Sequence, residues 1–187
     1  FYKQINRWLT YSYKKIRKIK FFLMLSGYQL TWLMCVFGEL WYNSFIPGLI
    51  CGLFFLAICF VNSENKKKTS LIVFLISLMG YLFDSFIVFF EIYNFKTSLY
   101  IGVLPIWMIV LWPSFAILFD EILVFLSKYK VIAVILSSIL GPLTYFAGSP
   151  LGLININNFF VFFILMIVFW AVLMIVYLNY IITLKFS

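Results

Sequence analysis

Long apolar runs separated by short polar breaks divide the chain into six segments, near residues 21–42, 45–62, 70–92, 99–126, 130–147 and 159–184. The breaks include NSENKKKT at 62–69, SKYK at 127–130 and the uncharged GSPLGLININN at 148–158. A helix that spans a bilayer needs about 20 apolar residues, within a range of about 17–25. The second and fifth segments are short and the fourth and sixth long, which predicts tilt or extension past the bilayer for the long ones. Pro105 and Pro113 in the fourth predict a bend or an irregular start. The pattern predicts an all-α fold, a polytopic transmembrane helical bundle of about six spans.

Residues 1–20 break this pattern. FYKQINRWLTYSYKKIRKIK holds seven of the 14 Lys and Arg and no acid, with Phe1, Ile5, Trp8, Leu9, Ile16 and Ile19 interleaved. This predicts a basic interfacial helix on an anionic leaflet, too polar for the core of a signal peptide. The plainer alternative is a basic tail that only sets topology. The expected organisation is a membrane-surface segment, 1–20, and a single transmembrane domain, 21–187.

Charge placement sets the orientation. With the N-terminus inside, residues 1–20, the 62–69 loop, the 127–130 turn and the C-terminal tail carry 7, 3, 2 and 1 Lys or Arg, leaving only Lys96 outside. Such a bias predicts six spans with both termini cytoplasmic. It also accounts for the net charge of +8 without any nucleic acid.

Composition agrees: 65% of the 187 residues are hydrophobic, 11% are charged, and mean hydropathy is +1.10. Soluble domains are about half apolar and a quarter charged. The chain has no His, which removes imidazole metal sites and Ser-His or Cys-His catalysis. Cys35, Cys51 and Cys59 form no CxxC and read as small packing residues, so no metal or cofactor is expected.

In lipid, small and polar residues mark packed helix faces. Ser77, Gly80, Asp84 and Glu91 fall on one stripe, as do Ser138, Gly141, Tyr145 and Gly148. Gln29, Trp32, Cys35 and Glu39 share a side of the first segment, and Gly48 and Gly52 have GxxxG spacing, a weak signal usually of packing. Asp84 lies about 5 Å outward of its segment's centre at 1.5 Å per residue. Glu39, Trp107 and Tyr145 fall in the outer half, and Asp120 and Glu121 in the inner half. The expected polar constellation is therefore Asp84 with Tyr145, Glu39 and Gln29, rather than a pair with Asp120. Intramembrane acids are functional candidates by default. Without a Lys, Arg or His in reach, Asp84 is expected either protonated, tying helices through Ser, Tyr or Gln, or open to an outer water cavity. Glu39 and Glu91 are expected as solvated rim residues.

Four stretches in order, YQLTWLMCVFG (28–38), GYLFDS (80–85), LPIWMIVLWPSFA (104–116) and GPLTYFAGSPLG (141–152), resemble the bacterial inner-membrane family called domain of unknown function 2878. The family pattern falls on Gln29, Trp32, Cys35, Val36 and Gly38, then Gly80, Asp84 and Ser85, then Pro105, Trp107, Trp112, Phe115 and Ala116. It ends on Gly141, Pro142, Tyr145, Gly148, Leu151 and Gly152. The resemblance covers about 21–155. Residues 1–20 look like an addition, and Asp120 and Glu121 stand where members often have Asn followed by a small polar residue or His. The family has no settled activity. Its gene neighbourhoods, beside fatty-acid-modifying methyltransferase and flavin oxidoreductase genes, imply lipid chemistry or handling.

Three functions are compatible with the chain. The first is a lipid-modifying enzyme or its accessory, with Asp84 and Tyr145 catalytic and Gln29, Trp32, Glu39, Ser85 and Trp107 shaping the polar site. The second is a subunit packed against a larger membrane-protein complex, and the third a small proton-coupled transporter. Membrane lipids are the expected partners in all three.

Overall fold

The computed structural model describes the backbone of residues 2–121 and 123–186 and the side chains of 18–119 and 126–180. Asp120 and Glu121 therefore fall outside the described side chains. Among the described residues six α-helices carry the fold: α1 (Tyr2–Tyr42), α2 (Ile46–Val61), α3 (Lys66–Phe89), α4 (Met108–Glu121), α5 (Lys130–Gly148) and α6 (Phe159–Phe186). Four have stretches long and apolar enough to cross a membrane: Lys18–Tyr42, Lys66–Phe89, Lys130–Gly148 and Phe159–Tyr180. The chain is thus a multi-pass membrane protein by length and composition of its helices.

Local chemistry sets the helix ends. Asn65 caps α3 by accepting the Lys68 N–H at 3.0 Å, and Asn158 Oδ1 accepts the Val161 N–H at 3.1 Å at the start of α6. Pro47 sits in the first turn of α2, where its missing N–H costs nothing. α3 ends in a Schellman motif, with Ile92 N–H donating to Ile87 O and Glu91 N–H to Val88 O. Glu91 takes the left-handed position of that motif (φ 54°), a place usually given to glycine.

Residues 2–20, read from sequence as a separate surface segment, run without a break into the first span as one 41-residue helix. The stretch 99–107, read as the start of a fourth span, is instead a hairpin of β2 (Tyr100–Ile101) and β3 (Leu104–Pro105). Gly102 at φ +61° makes its turn. α4 is consequently short, and its Val110, Ser114, Ala116 and Phe119 are fully buried. It packs on α1, α2 and α3 and forms the protein-enclosed centre of the bundle. A helix apolar all round fits such a place.

The other close pairs are α1 with α2 and α5 with α6. Gly48 meets the Cys35 backbone, and Gly52 meets Val110 and Thr31, so these glycines let helices approach. The three cysteines are helical, with Cys35 and Cys59 buried.

β1 (Tyr93–Phe95) follows α3, and β4 (Ile154–Ile156) follows α5. They pair antiparallel, Tyr93 opposite Ile156, Asn94 opposite Asn155 and Phe95 opposite Ile154. This ribbon closes one end of the bundle. The Lys clusters at 66–68 and 128–130 lie at the other end, where α3 and α5 begin.

Candidate functional site

Asp84 lies five residues before the end of α3, about 8 Å below it at 1.5 Å per residue. Its side chain is 0% exposed. Three aromatic residues from three other elements hold the carboxylate. Tyr93 Oη in β1 donates to Oδ1 at 2.5 Å. Trp112 Nε1 in α4 donates to Oδ2 at 2.7 Å. Tyr145 Oη in α5 lies 3.0 Å from Oδ1 and 2.9 Å from Oδ2. Donors thus stand where a Lys or Arg would otherwise be needed.

Glycine makes this cage possible. Gly80 is one turn before Asp84, and a methyl there would overlap the Trp112 indole. The bare helix surface seats the ring so that its N–H points along the same face to Asp84. Gly141 stands one turn before Tyr145, and a methyl there would overlap the Trp170 indole. The two indoles stack, with centroids 5.9 Å apart and planes 21° from parallel. Tyr93 adds edge contacts to Phe95 and Phe162. Asp84, Tyr93 and Trp112 are buried, whereas the half-buried Tyr145 reaches the perimeter.

The donor set fixes what the site can do. An indole N–H only donates, so Oδ2 remains an acceptor. Phenol hydroxyls donate or accept, so a proton can pass between Oδ1 and Tyr93 or Tyr145 without moving a heavy atom. Burial, then the neighbouring Asp84 charge, pushes the Tyr93 hydroxyl well above its ordinary value, which keeps it a protonated donor.

The structure joins Tyr145 to Asp84, as the stripe argument expects, but not the other expected members. Gln29 is on the exposed surface of α1, away from the cage. Glu39 is 6% exposed, which corrects its reading as a solvated rim residue. It forms a separate cluster: Oε1 accepts the Thr97 hydroxyl at 2.6 Å and the Ser98 hydroxyl at 3.1 Å, and Oε2 the Ser98 N–H at 2.7 Å. These bonds tie the end of α1 to the segment between β1 and β2. Glu91 is exposed, as expected, but it lies past the end of α3 and leaves the Asp84 stripe. Ser85 is half-buried and about 100° round the helix from Asp84. Trp32 is half-buried against the main core, and Trp107 is buried edge-on to Phe95 at 5.8 Å. The Trp107 indole N–H has no partner among the described residues.

Two cage members, Tyr93 and Trp112, escape sequence reasoning about the site. Trp112 belongs to the motif that carries the family resemblance, where it has no stated partner. Tyr93 is nine residues after Asp84, a half-turn away on a continuous helix. Among the described residues no group of three or more His, Cys, Asp or Glu could hold a metal ion.

The family described as "protein of unknown function (DUF2878)" matches residues 22–176, a stretch that contains the whole cage. No curated protein and no solved structure matches the chain.

Proposed function

The chain belongs to the DUF2878 family, and from that premise we propose that it acts on or handles lipids in a bacterial inner membrane, with Asp84 as the working group. It would cross the bilayer six times with both termini cytoplasmic. Asp84 would accept and return a proton, and Tyr145 would orient the reacting oxygen through its hydroxyl.

The placement of the cage supports this reading. The carboxylate is enclosed by helices below the ribbon, and only Tyr145 reaches the perimeter. On this reading a molecule reaching Tyr145 from that side would come from the bilayer.

The test is a whole-lipid mass-spectrometric comparison of cells lacking the protein, cells expressing it and cells expressing Asp84→Asn at matched membrane levels. The expected result is a lipid species that changes only with intact Asp84. Identical profiles in all three would sink the lipid reading.

One observation favours a second reading, a non-catalytic subunit of a larger complex. The 41 residues of α1 extend about 60 Å, twice the roughly 30 Å hydrocarbon thickness. A helix that outruns the bilayer on its basic side offers a handle to a partner.

A further inference from the structure

The ribbon has a second face. Tyr93, Phe95, Ile154 and Ile156 are buried on its inner side, and alternation turns the paired Asn94 and Asn155 outward. Lys96 follows on the side of Asn94, and its backbone N–H donates to Leu153 O at 2.7 Å, which fixes the base of the side chain. Around Lys96 is a dish of about 290 Å³, with Asn94, Ser149 and Asn155 as its other polar walls and Gly152 and the strand residues Phe95 and Ile154, whose side chains are buried, completing it.

Three features give the dish a chemical preference. Lys96 is the single Lys or Arg that the charge pattern leaves outside the basic end. No Asp or Glu lines the dish. Glu39, which engages the two residues after Lys96, is turned into the bundle and already accepts three donors. The neutral walls also offer donors. Asn155 gives one amide hydrogen to Asn157 Oδ1 at 3.0 Å and keeps a second. An ammonium flanked by amide and hydroxyl donors, with no competing carboxylate, suits the oxyanion of a phosphate ester.

Size and height narrow the source. Pockets for whole small molecules run from about 300 to 1,000 Å³, so this one fits a headgroup better than a lipid. It opens at the end of the bundle beside the ends of α3 and α5; with those helices crossing the bilayer, that end would meet the headgroup layer. We infer that the Lys96 dish binds the phosphate of an outer-leaflet phospholipid headgroup. The outer-leaflet assignment rests on the orientation proposed above, whereas the phosphate chemistry does not depend on the reading of the Asp84 cage, which lies on the opposite face of the ribbon.

The full-length protein in detergent is titrated with short-chain phosphatidylglycerol below its micelle concentration and, separately, with inorganic phosphate. Binding is followed by thermophoresis for the unaltered protein, Lys96→Gln, Asn155→Ala and Lys130→Gln, the last removing a cation at the opposite end. Saturable phosphatidylglycerol binding is expected for the unaltered protein and Lys130→Gln. It should weaken about tenfold in Lys96→Gln, the loss of one charge-assisted contact, and less in Asn155→Ala. Inorganic phosphate should bind far more weakly. Equal affinity for inorganic phosphate would overturn the lipid source and leave a free-phosphate site. Equal affinity of Lys96→Gln and the unaltered protein overturns the site itself, provided their melting temperatures agree.

Discussion

Gly80 decides where Trp112 sits, and through it how Asp84 is held. Gly80→Ala should push the indole off α3, break the Nε1 bond to Oδ2 and cost about 1–3 kcal/mol in overpacking. For a chain of this size, that is a fall of roughly 2–12 °C in melting temperature. Gly141→Ala makes a comparable clash with Trp170, whose indole N–H has no partner among the described residues. It should lower the melting temperature similarly and, through the stack of Trp170 on Trp112, disturb the cage less directly than Gly80→Ala. A Gly80→Ala protein with unaltered stability and lipid profile would contradict this account of the cage. At this scale the sequence is partly legible. Asp84 stands out as an acid in an apolar helix, and Tyr145 lies on a stripe of small residues. Tyr93 is hidden because its place depends on a chain reversal at Glu91, a left-handed residue that sequence pattern does not mark as a turn. Glu39 looks solvated because its donors, Thr97 and Ser98, are 58 and 59 residues away.

The ribbon closes one end of the bundle, and the segment between β1 and β2 runs beside it as a strap. Glu39 secures that strap, so Glu39→Ala should free residues 97 and 98. Tryptic cleavage after Lys96 should then quicken several-fold, while cleavage at Lys66–Lys68 keeps its rate. Unchanged cleavage at Lys96 would mean that the strap is held by something else. The hairpin at 100–105 shows why element type is harder to read than apolarity. Tyr100, Ile101, Val103 and Leu104 make a short apolar run that suits a strand or a buried helix equally, and periodicity does not separate them. Gly102 is the one local sign of the turn. The same ambiguity turns a central, protein-covered α4 into an apparent long span.

For the whole molecule, composition alone identifies the class, because so much apolar surface has no place in a soluble fold of 187 residues. The order of helices puts the ribbon at one end and the lysine clusters at the other. In a cysteine-free background, Asn155→Cys should react with a membrane-impermeant maleimide added outside intact spheroplasts. Glu64→Cys should react only after permeabilisation. The reverse pattern would invert the proposed orientation. What composition does not show is that the bundle is held by one central helix, since burial of α4 by protein and burial by lipid require the same apolar residues.

The cage also imposes an order on biogenesis. Tyr145 is 61 residues after Asp84, and at about 5–20 residues per second that is roughly 3–12 s of synthesis. Trp112, 28 residues on, arrives earlier. α3 therefore enters the membrane with Tyr93 close behind but with Trp112 and Tyr145 still to come, at a cost of up to about 2.5–3.5 kcal/mol for an unpartnered Asp at a helix centre. The mean hydropathy of 2.3 over its most apolar 18 residues offsets that cost, and the three lysines at its start hold it in place. Until α5 arrives the carboxylate lacks the last of its three donors, so the cage is complete only when the fifth helix is in place.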